Sequence, residues 1–285
     1  MLRVPLQVKV SRLEKIERRR RPFYSFGQRL VADALAMQMR RALIEMSNRS
    51  PGEWHDAIGH GVRHTSVIMA DAVDAIWRQT GEYFAETTYR EVLGLAGKAI
   101  KQPEWLERVL NRAVGEFGDR IKLLDKDTIK TLRKLAAPIM DVALKEGWGI
   151  DKIVRALREI FNGFEPYTDK GWRVKRVVQT EVVGASNWAS HVGAQQAGTE
   201  LGIVLIKEWL SINADDRTRD LDKGDSFDHV HMHMEHAAMD EPFQVPSEFG
   251  AEPLMYPGDP SGSPGNIINC RCSVAYVPAD MLEGQ

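Results

Sequence analysis

Cysteine is almost missing from this chain. Only Cys270 and Cys272 occur in 285 residues, and a single residue separates them. So close a pair rarely closes a disulfide, because the backbone between the two would be strained. The thiols therefore read as reduced groups in a reducing compartment, and no disulfide framework is expected to hold the fold. Long apolar runs are missing too. None approaches the roughly 20 residues needed to cross a bilayer. The N-terminal stretch is basic and lacks the apolar segment of a secretion signal, so the expectation is synthesis in the cytosol with no membrane partner. The chain has no P-loop pattern G-x-x-x-x-G-K-[ST], no G-x-S-x-G, no G-x-G-x-x-G and no H-E-x-x-H. Phosphate-cradling loops, serine-hydrolase elbows, dinucleotide fingerprints and zincin sites are thereby set aside. There is no internal repeat and no low-complexity tract.

What remains is ordinary in bulk and uneven in detail. Hydrophobic residues make up 43% and charged residues 27%, as in soluble globular proteins. The length suits one large or two ordinary domains with ample core. The net charge is −2, yet residues 1–21 carry Arg3, Lys9, Arg12, Lys15, Arg18, Arg19, Arg20 and Arg21 against only Glu14 and Glu17. The remainder of the chain is correspondingly acidic. This distribution predicts a basic arm over residues 1–24, with a short strand where Val4, Leu6, Val8 and Val10 alternate. Arg12, Lys15 and Arg18 to Arg21 would meet an acidic partner surface or DNA phosphates, or else form a plain solvated face.

The pattern predicts helices after the arm. Ser25 with Gln28 fits a capping box opening a helix to about Asn48. Further helices are expected at about 53–79, 81–100, 103–117 and 126–146, the last kinked or broken at Pro138. Gly147 to Gly149 interrupt the pattern, and a helix over 150–161 presents Ile150, Ile153, Leu157 and Ile160 on one face. A long helix over 171–197 ends before Gly198. Past Gly202 the period changes. Residues 203–209 read as a core strand and 211–269 as loops with short strands, while Ile267-Ile268 and the Cys270-Arg271-Cys272 segment, followed by 274–277, read as a final strand. The fold class expected is α+β: a mostly helical N-terminal part (25–146) and a small α+β domain over 147–285.

Chemistry-bearing residues gather near the C-terminus. Gln179-Thr180-Glu181 and Asn187 lie on the long helix. Trp209-Leu210-Ser211 leads into Asp216-Arg217-Thr218-Arg219. His236, Tyr256-Pro257-Gly258-Asp259-Pro260 and Asn269-Cys270-Arg271-Cys272 follow. A carboxylate among apolar residues needs a partner. Thr180, Glu181, Asn187, Asp216, Arg217 and Arg219 are therefore expected to form a structural network, with Glu181 paired to Arg217 or Arg219 and Asn187 bonded to loop backbone. The competing reading makes Asp215 and Asp216, with the His-rich loop, the metal site of a hydrolase or nuclease.

This ordered set resembles the phage Mu F-like head morphogenesis family, the minor head proteins of tailed bacteriophages. The resemblance covers about residues 140–276. It implies a structural virion protein and not an enzyme, present in the phage head and made in the host cytoplasm. It implies the portal protein and other capsid proteins as partners, with packaged double-stranded DNA as a further contact. The chain departs from the family pattern in the long Asp- and His-rich stretch between Arg219 and His236, so His229, His231 or His233 could take the place of the family histidine.

The two sulfurs carry a separate reading. On a strand, residues i and i+2 share a face, so Cys270 and Cys272 would aim at one point. With His233 and His236 they would satisfy a tetrahedral zinc. The alternative is a pair of buried thiols acting as small hydrophobes.

Overall fold

The structure, a computed structural model, describes residues 6–95, 105, 118–162, 172–212 and 218–283. Its helices are α1 (Leu6–Ser47), α2 (Trp54–His64), α3 (Ser66–Leu95), α4 (Gly118–Glu146), α5 (Ile150–Asn162), α6 (Trp172–Leu201), and the short α7 (Pro264–Ile267) and α8 (Asp280–Glu283). The strands are β1 (Leu205–Leu210), β2 (His236–Ala238), β3 (Phe243–Val245), β4 (Glu252–Leu254) and β5 (Ser273–Pro278). The class is α+β, mostly helical first and with a small sheet region after residue 200.

The first correction concerns the N-terminus. No strand or arm is found from Leu6 onward; the helix that was expected to open at Ser25 already runs from Leu6 and passes through Pro22. Arg, Glu and Lys are good helix formers, and Arg20 pairs with Glu17 one turn back at 2.7 Å. The imide nitrogen of Pro22 costs one backbone hydrogen bond, which neighbouring turns absorb. The second correction moves a boundary. The break expected near residue 80 falls at Thr65, whose hydroxyl donates to the carbonyls of Gly61 and Val62. Pro138 lies within α4 without ending it. The expected helix at 103–117 lies outside the described residues, Trp105 apart.

Two compact units divide the chain. One takes Met1–Ser25, Ile76–Asn111 and Arg176–Gln285; the other takes Phe26–Ala75 and Arg112–Lys175. The second unit is all helical. Its core joins Met39, Leu43 and Met46 of α1, Trp54, Ile58 and Val62 of α2, Leu132 and Ala136 of α4, and Ile153 and Leu157 of α5. Arg173 is buried there, donating to Thr128 and Thr131 at 2.7 and 2.8 Å.

The first unit carries the sheets. β1 pairs antiparallel with β2 on one side and β5 on the other, with Trp209 opposite Val274 and Glu208 opposite both His236 and Ala275. β3 and β4 form a separate two-stranded ribbon. Helix α6 reaches this region along a stripe of small residues. At Gly184 an added Cβ would come within 3.1 Å of the Gly258 carbonyl, so the helix and the Pro257–Asp259 turn approach as only glycine allows. The helix ends one turn later than Gly198, at Gly202, which takes φ 64°. The amide of Ile203 closes on the carbonyl of Gly198 at 3.1 Å.

Candidate metal centre

Three ligand atoms meet in the interior of the first unit. His229 Nδ1 lies 3.6 Å from Cys270 Sγ and 3.5 Å from Cys272 Sγ. All three side chains are buried. Cys270 and Cys272 precede β5 and are not on it, yet the amide of Cys272 donates to Cys270 Sγ at 3.4 Å and folds the two sulfurs toward one point. Asn269 makes the turn possible with a left-handed φ of 60°, a conformation asparagine tolerates better than most residues.

The imidazole is held from every side. Its backbone amide donates to the Arg219 carbonyl at 2.9 Å, and its carbonyl accepts from the Ser211 hydroxyl. Its ring stands edge-on to Trp209, centroids 5.5 Å apart. Nε2 lies 2.5 Å from Asn266 Oδ1, and Asn266 Nδ2 donates to Glu252 at 2.9 Å. The carboxylate of Glu252 accepts only, so it fixes the amide's orientation; Oδ1 then accepts only, so Nε2 must carry the proton. The lone pair of Nδ1 is left facing the two sulfurs. An outer-sphere acceptor that sets the tautomer of a ligating histidine is the usual partner of a metal-binding imidazole.

The distances fit a metal. Zinc bonds of about 2.3 Å to sulfur and 2.0–2.1 Å to nitrogen at a tetrahedral angle place N and S about 3.6 Å apart. The two observed separations match that edge. The hydrogen bond from Cys272 pulls the Cys270 thiol well below its ordinary value, assisted by His229 and Arg219. Cys272 is pushed well above, because it donates that bond and because it is buried. The two thiols are thus shifted in opposite directions, and a divalent cation bound to both would displace their protons. The order thiol, Nδ1, Nε2, amide oxygen is also that of cysteine hydrolases. Here both cysteines are buried, 1% and 3% exposed.

The histidine expected at this point differs from the one found. His233 Nδ1 accepts from the Ser211 amide at 3.1 Å, and His236 meets Glu208 at 3.0 Å across the β1–β2 pair. His229 takes the place beside the thiols. The reason is local: residues 229–234 form turns and not a strand, so alternate histidines do not share a face. His231 instead bonds Asp228, which raises its pKa above the ordinary value.

The remaining residues singled out in the sequence are distributed as follows. Thr180 Oγ1 accepts the Asn269 amide at 2.8 Å, and Asn187 Nδ2 donates to the carbonyls of Pro257 and Cys272 at 2.8 and 3.0 Å. Arg219 donates to the Ile268 carbonyl. Glu181 is buried and accepts from Trp77 Nε1 at 2.8 Å. Asp215, Asp216 and Arg217 lie outside the described residues. Asp259 accepts from the Met255 and Ser261 amides at 2.8 and 2.9 Å.

Among the basic residues, Arg20 is fully buried, giving Nε to Ser186 and Nη2 to Asn187, each at 2.8 Å. Lys15 and Arg19 pair with Glu91 at 3.6 and 2.7 Å. Arg12, Arg18 and Arg21 are exposed. Sequence reading missed Trp77, Glu252 and Asn266, for which no spacing or motif gives a signal.

No family model and no solved structure matches the chain. It is 25% identical over 221 residues to an uncharacterized protein, YqbB, of Bacillus subtilis (strain 168); the match covers 77% of this chain and 66% of that protein's length.

Proposed function

We propose that this chain is a structural protein of a tailed-phage head, associated with the portal vertex and aiding head assembly and DNA packaging or delivery. The observation that supports this reading most is what the patterned residues do. Thr180, Asn187, Arg219 and Asp259 all bond backbone groups of the loops that the same pattern specifies. Contacts of this kind hold a shape. The described histidines of the proposed hydrolase loop go to four different partners and do not converge. The portal and other capsid proteins are the proposed partners, and the virion is the proposed location, reached from the host cytoplasm.

In the same reading His229, Cys270 and Cys272 hold a structural zinc, with one coordination position left beyond these three ligands. The ion would fasten the turn around residue 229 to the segment entering β5. The reading as a head protein is tested on particles. Filled heads purified from cells that produce this chain should contain it at low copy number by mass spectrometry. If the chain sediments with soluble protein and no head fraction holds it, the proposal fails.

A further inference from the structure

Of the cations marked in the sequence, Lys15, Arg19 and Arg20 are engaged in the first unit while Arg12, Arg18 and Arg21 stay exposed, and the second unit builds a further cationic surface. A cleft of about 810 Å³ is lined by Arg63 of α2 and by Lys122, Lys126, Lys130 and Arg133 of α4, with Asp125 the one acid among its described lining residues. Asp125 is buried, and both its oxygens are engaged, one by Gln38 Nε2 and the other by the Ser66 hydroxyl. Among its described lining residues the cleft thus carries five cationic side chains and one carboxylate, in a chain whose net charge is −2.

The cations are also arranged. Lys122, Lys126 and Lys130 recur at every fourth position, so they stand in a row about 6 Å apart along the helix. At the end of that row two guanidinium groups converge. A methyl group placed on Gly59 would lie 3.1 Å from Arg63 Nη1 and 3.4 Å from Arg133 Nη2. Arg133 is fixed there by donating twice to the His55 carbonyl, at 3.0 and 2.7 Å. Like charges held this close repel unless an anion lies between them.

We propose that this cleft binds the sugar-phosphate backbone of double-stranded DNA. A row of evenly spaced cations fits a linear polyanion better than a single small phosphate, which converging donors would enclose. The described lining holds no Trp, Tyr or Phe. Single strands are usually gripped by stacking bases on such rings, whereas a duplex keeps its base faces stacked inside and carries its phosphates outward. Contacts of this kind position without reading sequence.

The test uses the purified full-length chain and short duplexes of unrelated sequence, titrated over a salt series. Binding should be equal for the sequences, and log K should fall against log salt with a slope near −3.6 for about four neutralised phosphates. Lys126→Gln with Lys130→Gln should reduce that slope by about 1.8 and weaken binding at low salt, with unchanged thermal melting. Arg90→Gln with Lys223→Gln, both exposed on the first unit, should leave both slope and affinity as they were. Absence of binding at low salt overturns the proposal. A slope untouched by the α4 substitutions also overturns it, as does tighter binding of the single strand. Displacement of DNA by polyglutamate at equal charge would point instead to an acidic protein. The measurement needs no phage particle, so its failure leaves the head-protein reading standing, and failure of that reading leaves the cleft standing.

Discussion

His191 shows how burial turns one side chain into a pH sensor of stability. It sits on α6 between the rings of Tyr256 and Tyr276, with centroids 5.8 and 6.3 Å away. Burial, with Lys207 nearby, lowers its pKa to about 4. The unfolded chain binds this proton near pH 6.5 and the folded chain does not until about pH 4. The unfolded state is therefore favoured by acid. The contribution is complete above pH 6.5 and is lost as the pH falls through that window, by about 3 kcal/mol at most. His191→Phe, which keeps an aromatic ring in the site, should flatten the stability profile between pH 6.5 and 4 while matching the parent near pH 8. Parallel profiles of parent and variant would mean that the ring is protonated in the folded state. Lys207 is shifted in the same direction, on the alkaline side of neutrality. Burial lowers it to about 8, although its ammonium donates to the Glu241 and Met255 carbonyls at 2.6 and 3.0 Å.

At the scale of elements, α1 and α6 are joined by polar bonds inside the first unit. Arg20 of α1 reaches Ser186 and Asn187 of α6, and Asn187 in turn holds the carbonyls of Pro257 and Cys272. One amide thus links a helix, the Pro257 turn and the entrance to β5. Asn187→Leu would strand two buried carbonyls and one guanidinium N–H, and each unsatisfied group costs about 1–3 kcal/mol. A loss of about 3 kcal/mol or more is expected in chemical denaturation, while Arg18→Ser on the exposed side should change little. A variant as stable as the parent would show that the carbonyls find other donors.

These joints also mark how far the sequence could be read. Helix α5 and strand β1 follow from apolar periodicity alone, and Asn187 to loop backbone follows from the cost of burying an amide. The role of Arg20 does not. A run of four arginines looks like a solvated or docking segment, and only the packing of α1 on α6 decides that the third is core and the others are not. His229 shows the same limit. Alternation suggested a strand of histidines, but Asp228 and the turn after it break the period, and the imidazole is set by Asn266 of α7 and Glu252 of β4, both distant in sequence.

At the scale of the whole molecule, the proposed zinc has consequences for one unit in particular. His229, Cys270 and Cys272 all belong to the unit that contains the sheets, and the apolar cluster around them draws on Trp209, Phe243, Val245, Leu254 and Tyr256 of that unit. The helical unit of residues 26–75 and 112–175 has a core of its own, built on Trp54, Ile58, Leu132 and Leu157. Binding to the folded state alone stabilises that state by mass action. Purified protein should therefore contain about one zinc per chain, and His229→Gln should contain none. Removing the metal with a chelator should raise amide exchange across residues 205–212 and 218–278, where strands and turns depend on the centre. Protection of α2, α4 and α5 should persist, since no residue of theirs contributes a ligand. If the parent protein holds no metal and both thiols titrate freely only after unfolding, then the two cysteines are buried hydrophobes. The Asn266–His229 bond would then be a packing feature, and the segment entering β5 would be held by Asn187, Thr180 and Arg219 without a metal. If metal is present but its removal unprotects the helical unit equally, the chain unfolds as one cooperative body.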